Sequence, residues 1–244
     1  SFISFISLLG PLVGLALGFD SINGEFNRGT MSRLLAQPIH RDNVINGKFL
    51  AGITVISIMV LSLGIAVGAI GMIMIGIPPT AEEILRLLSF FVVTILYMSV
   101  WLALSQLFSL LFKQSATSAL ACIAVWLFLS IFVGLLAGVI SNALFPVDEA
   151  STIDMQLKNS NLELMINRIS PSTLFSEATI CLLNPGVRTV SVITVDRLIG
   201  AIAGTLPFTQ SLLLIWPHLI SLIALNMICF AISYIIFMKR EVRA

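Results

Sequence analysis

Apolar residues in this chain run in long blocks, without the alternation of a half-buried strand or the one-sided stripe of a surface helix. A bilayer core of about 30 Å takes about 20 residues as helix. Five blocks reach that length, at about 2–19, 49–76, 87–112, 116–145 and 211–238. Several are longer than needed, which predicts tilt or extension beyond the lipid. None of the five contains Asp, Glu, Lys or Arg. An ion-coupled transporter usually keeps an ionisable group inside the membrane; here the reading finds Gln106, Asn226 and a border His218 instead. Gly10, Gly14 and Gly18 recur every fourth residue, as do Gly64 and Gly68, the small-residue spacing that lets membrane helices pack closely. Pro11 and Pro217 are expected near span ends, where a kink or a helix start is tolerated. The pattern predicts an all-α polytopic membrane bundle.

Between the fourth and fifth blocks lies a long loop, about 146–210. "PSTLFSEATICLL" predicts a short helix with Ser172 or Thr173 as its N-cap, and "VDRLIGAIAGTLPF" is apolar but too short to cross. Both are expected as short helices at the outer interface.

Composition strengthens the membrane reading. The chain has 244 residues, 58% hydrophobic and 10% charged, where a soluble domain carries roughly a quarter charged. Net charge is +1, and no nucleic-acid partner is expected. The cations are unevenly placed: Arg28, Arg33, Arg41, Lys48, Lys113, Lys239, Arg240 and Arg243 fall on one side of the predicted spans. By the bias of cytoplasmic loops toward Lys and Arg, residues 20–48 and the C-terminus are cytoplasmic and Ser1 faces out. The opening block has no basic leader region or small-residue cleavage pattern, so it is read as a span and not a signal peptide. An outward N-terminus without a signal fits a lost preceding span, giving six in the parent. The cysteines Cys122, Cys181 and Cys229 have no metal-ligand spacing.

Candidate chemistry is sparse. Gly47-Lys48 resembles the end of a P-loop, but Asp42 and Phe49 stand where a glycine and a Ser or Thr are required. Glu82, Glu83 and Arg86 resemble a membrane-protease motif with the arginine one residue too close, and no histidine pair accompanies them. After Pro78-Pro79 they are read as a short outer turn and a solvated helix start. No nucleotide site, metal site or catalytic triad is expected, so the chain is not expected to be an enzyme.

The most polar long run of the first half, "FDSINGEFNRGTMSRLLAQPIHRDNVINGK" (19–48), is too long for a turn and too apolar for a linker. Gly24 and Gly29 break it. A short helix is then expected from an N-cap at Thr30 to a stop before Pro38, with Met31, Leu34 and Leu35 on one face. Asp42 is placed to cap the helix that becomes the second span. Such an elbow fits two roles, an amphipathic anchor on anionic lipid or an apolar docking patch with a charged rim.

The order Glu25, Arg28-Gly29-Thr30, Leu34-Leu35, Pro38, Arg41 and Gly47-Lys48 resembles the cytoplasmic element of ABC-2 type transporter permeases, especially the NosY-like branch. "ISPSTLFSEATICLLNP" and "FMKREVRA" extend the resemblance over nearly the whole chain. The resemblance implies a six-span permease subunit of an ABC exporter in a prokaryotic plasma membrane. It would pair with a second permease subunit, as homo- or heterodimer, and with ABC ATPase subunits that carry ATP and Mg. It also implies an ATPase-coupling site, here Glu25, Arg28, Thr30, Leu34, Leu35 and Arg41. The alternatives are an ABC-2-like component of an assembly or signalling machine that moves no solute and, less well supported, a stand-alone secondary transporter.

Overall fold

The computed structural model describes residues 2–31, 40–76, 78–147, 152–184, 186 and 206–239. Among them every regular element is helical: α1 (Phe2–Gly18), α2 (Asn23–Asn27), α3 (Arg41–Ile75), α4 (Ala81–Leu111), α5 (Ser115–Leu127), α6 (Val133–Leu144), α7 (Ile153–Asn167), α8 (Pro171–Leu183) and α9 (Phe208–Lys239). A π-helical turn, Phe128–Phe132, joins α5 to α6. Among the described residues five stretches are long and apolar enough to cross a membrane: Ile3–Asn27, Arg41–Met74, Ala81–Leu111, Ser115–Leu144 and Phe208–Lys239. This is the polytopic helical bundle that the apolar blocks predict.

The helices run past the blocks, because charged residues at a block's edge do not end a helix. Thr80 caps α4 through a reciprocal capping box: its hydroxyl accepts from the Glu83 N–H at 3.4 Å, and the Glu83 carboxylate accepts from the Thr80 N–H at 2.7 Å. The expected start at 87 therefore lies inside α4. The second span likewise begins at Arg41, before the expected 49, with His40 at the cap position. Asp42 lies in its first turn and makes no cap there. At the other end Gly76 (φ 74°) closes α3, its N–H on Met72 O at 2.8 Å.

Helix α4 is the hub. It packs against α1, α3, α5, α8 and α9. In its most apolar stretch 61% of residues are buried, against 11% for the second, fourth and fifth spans. Phe90, Phe91, Tyr97, Met98, Trp101 and Leu102 supply the middle of the core. Some of its hydroxyls donate back along the helix, Thr94 to Phe90 O and Ser99 to Leu96 O.

Glycines set the closest approaches. A Cβ on Gly14 would stand 2.6 Å from Met98 O and one on Gly18 2.9 Å from Leu102 O, so α1 lies directly on the α4 backbone. Gly10 has ordinary contact distances there. Gly64 is covered by the Phe91 ring, Gly68 has nothing within 4 Å, and Gly52 (not singled out by spacing) sits under Leu102.

Both prolines lie inside helices, not near their ends. Pro11 has no N–H to give to Ser7 O, and that freed carbonyl accepts the Tyr97 hydroxyl at 2.7 Å. A tertiary partner thus makes mid-helix proline tolerable. The cap of α8 also differs from expectation. Ser170 occupies the cap position with Pro171 first in the helix, while the Ser172 hydroxyl is engaged by Tyr97 at 3.0 Å and by Ser130 of the π turn at 3.2 Å. Helix α7 was not anticipated, and most of "VDRLIGAIAGTLPF" lies outside the described residues.

Candidate functional site

The elbow is attached to the bundle by a second, smaller apolar cluster. Ile22, Met31, Val44, Ile45, Leu110 and Phe237 are buried together, with Phe26, Phe230 and Tyr234 packed against them. Helix α1 stops at Gly18, a turn follows, and the five-residue α2 begins at Asn23. The first N–H groups of such a start have no partner within the helix. Here the Ser109 hydroxyl near the end of α4 accepts both Ile22 N–H and Asn23 N–H, each at 3.0 Å. Ser115, at the start of α5, donates to the Asp20 carboxylate.

The predicted coupling residues are placed as follows. The Glu25 carboxylate, on α2, is engaged by the Thr30 hydroxyl and by Lys48 Nζ at 3.3 Å, with about a quarter of each side chain of the ion pair exposed. Arg28 is exposed, its guanidinium 3.7 Å from Asp20. Arg41 opens α3 with its guanidinium carbon 6.0 Å from the Phe237 ring centroid, within cation–π range. Thr30 and Met31 are helical, and the residues that Thr30 was expected to cap lie outside the described residues, as do Leu34 and Leu35. Gly29 adopts φ 68°, as a break requires, whereas Gly24 sits inside α2 against the Asp20 carboxylate. Met31 departs from expectation. Helical spacing puts it on one face with Leu34 and Leu35, a face that either open role would leave for lipid or a partner, yet it is 1% exposed and belongs to the bundle.

The opposite end of the bundle corrects a second expectation. Arg86, expected on a solvated helix start, is 5% exposed. Its guanidinium donates to Glu82 at 2.7 Å, Leu182 O at 2.8 Å, Leu206 O at 2.6 Å and Ser211 Oγ at 3.1 Å. One side chain thus ties α4 to the end of α8 and the start of α9. Nearby, the Glu177 carboxylate accepts from Arg168 Nε at 3.0 Å and lies 2.6 Å from His218 Nε2. Sequence reasoning named Arg86 and His218 without their burial or partners, because it stopped the third span at its first charge and had no view of Glu177 in the loop. An arginine directly ahead of an apolar block, and a glutamate inside "PSTLFSEATICLL", were the available signals.

Among the described residues no group of His, Cys, Asp and Glu gathers as a metal site. The elbow holds a charged surface on a buried root, an arrangement suited to binding and mechanical attachment. The sequence model for ABC-2 family transporter proteins matches residues 1–242. The chain belongs to that family. Similar proteins include two named probable ABC transporter permease protein NosY. The one from Pseudomonas aeruginosa is 29% identical over 131 residues, 52% of this chain and 46% of that protein. The one from Stutzerimonas stutzeri is 35% identical over 78 residues, 32% of this chain and 28% of that protein. The matched part is under half the length of either relative.

Proposed function

We propose that this ABC-2 family chain is the membrane permease subunit of an ABC exporter and couples ATP hydrolysis on a separate ATPase to substrate translocation. It pairs with a second permease subunit in a plasma membrane, with the elbow and C-terminus cytoplasmic and ATP and Mg held by the ATPase. The observation that carries this reading is the elbow's construction. Its buried root joins the ends of α4 and α9, and its charged groups Glu25, Arg28 and Arg41 stand beside it. A partner that pushes on such an element moves the bundle with it, as a rigid-body switch of access requires. Leu34 and Leu35 fill the partner's cleft and the charges set register.

Leu35→Glu tests the reading. The variant is expected to insert normally but to lose co-purification with the ATPase and the ATP turnover that depends on the complex. Unchanged co-purification and turnover would remove Leu35 from the interface. ATP turnover in vesicles with no accompanying solute movement would favour a machine that transports nothing.

A further inference from the structure

We propose that Ser109 is a positioning residue: the joint through which movement of the elbow enters the central helix α4, more than along α1. The inference rests on the coupling role proposed above. The last two turns of α4 carry three buried polar residues, Ser105, Gln106 and Ser109, each bonded to a different incoming segment. Ser105 donates to Gly14 O at 3.2 Å and Gln106 to Ile45 O at 3.4 Å, while Ser109 accepts from Ile22 and Asn23 N–H at 3.0 Å. These segments are α1, α3 and the start of α2.

The Ser109 contact differs from the other two in kind. Ser105 and Gln106 bond to carbonyls inside continuous helices, which have their own ladders. Ile22 and Asn23 are 0% and 1% exposed, where solvent gives no alternative partner for the orphan donors of a helix start. A displacement of α2 away from α4 breaks both bonds together. Helix α1 does not run into α2: residues 19–22 form a turn, which transmits axial thrust poorly. Leu110, the next residue of α4, packs in the cluster that buries Ile22 and Met31, so the polar grip and the apolar seat coincide. Because α4 touches α1, α3, α5, α8 and α9, a shift delivered there reaches the opposite end through Arg86.

The test uses the full chain with its ATPase in lipid nanodiscs, followed by amide hydrogen exchange with and without MgATP and vanadate. In the unaltered complex nucleotide is expected to change exchange in 20–31 and also in Ala81–Arg86 and α8. Ser109→Ala should keep ATPase binding and the response in 20–31, while the far-end response weakens by about five- to tenfold in its opening equilibrium. Ser109→Thr, which keeps a hydroxyl, should restore it. A merely structural role would lower protection at both ends without nucleotide and leave the response intact. Should Ser109→Ala fail to fold, Ser109→Cys keeps a side chain in place with a much weaker acceptor and is expected to give the same split. A full far-end response in either folded variant overturns the joint. Absence of any response in 20–31 of the unaltered complex overturns the coupling reading instead.

Discussion

The two ends of the bundle use charge in opposite ways. At the elbow end the ion pairs reach water: Arg28 lies 3.7 Å from Asp20 with most of its side chain exposed, and Lys48 meets Glu25 at 3.3 Å with about a quarter of each side chain exposed. At the opposite end Arg86 is drawn inside and met by two carbonyls, a carboxylate and a hydroxyl, and Glu177 is paired there with Arg168 and His218. Exposed pairs contribute little to stability and remain available to a partner, whereas a buried guanidinium that loses its acceptors strands several polar groups at once. The far end is therefore a structural clasp, and the elbow end is a surface with a clamped root.

Arg86→Met gives the largest expected effect. The variant keeps the apolar stem but leaves Leu182 O, Leu206 O and Ser211 without their donor, costing about 3–5 kcal/mol. Thermal unfolding in detergent, followed by tryptophan fluorescence, reads it. A melting point within a degree of the original would show that the far-end clasp is dispensable and that the two ends are alike.

Helix packing beside the elbow gives the next effect. Gly18→Val puts a Cβ 2.9 Å from a backbone carbonyl that cannot move aside, and overpacking of this kind costs about 1–3 kcal/mol. Gly68→Ala, on the exposed side of α3 with nothing within 4 Å, is expected to be neutral or mildly stabilising. Equal losses in the two variants would mean that glycine spacing and not contact governs α1 and α3.

The same contrast explains what the sequence disclosed. Long apolar blocks made the five spans legible, since a membrane leaves the backbone no alternative to helix. Hidden in the pattern were the places where tertiary partners override local rules. Pro11 is tolerated mid-helix because Tyr97 occupies the carbonyl it frees. Helix α7, weakly patterned, is tied to α6 and its exit by Asn159, which donates to Asn142 at 2.9 Å and Phe145 O at 2.7 Å. Arg86 is buried because its acceptors come from residues 96 to 125 positions away along the chain. Within the elbow the local motif singles out Glu25, Arg28, Thr30 and Arg41, which stand around the buried root. The burial of Met31 against the bundle was not legible, because helical spacing says which residues share a face and not what that face meets.

The smallest stability effects belong to the elbow charges, and they sharpen the comparison most. Lys48→Met removes the partner of Glu25 in a pair about three-quarters buried and is expected to cost about 1 kcal/mol. Arg28→Ala removes a long, mostly exposed contact and should lie within about 0.5 kcal/mol of the original. If the elbow is a docking surface, Arg28→Ala nevertheless weakens ATPase association several-fold, with the loss shrinking as salt rises, because rim charges act through steering and register. Titration of the ATPase against nanodisc-embedded chain at two ionic strengths reads this directly. Affinity unchanged at low salt would make Arg28 a lipid-headgroup anchor, and binding to vesicles of anionic lipid would then carry the salt dependence instead.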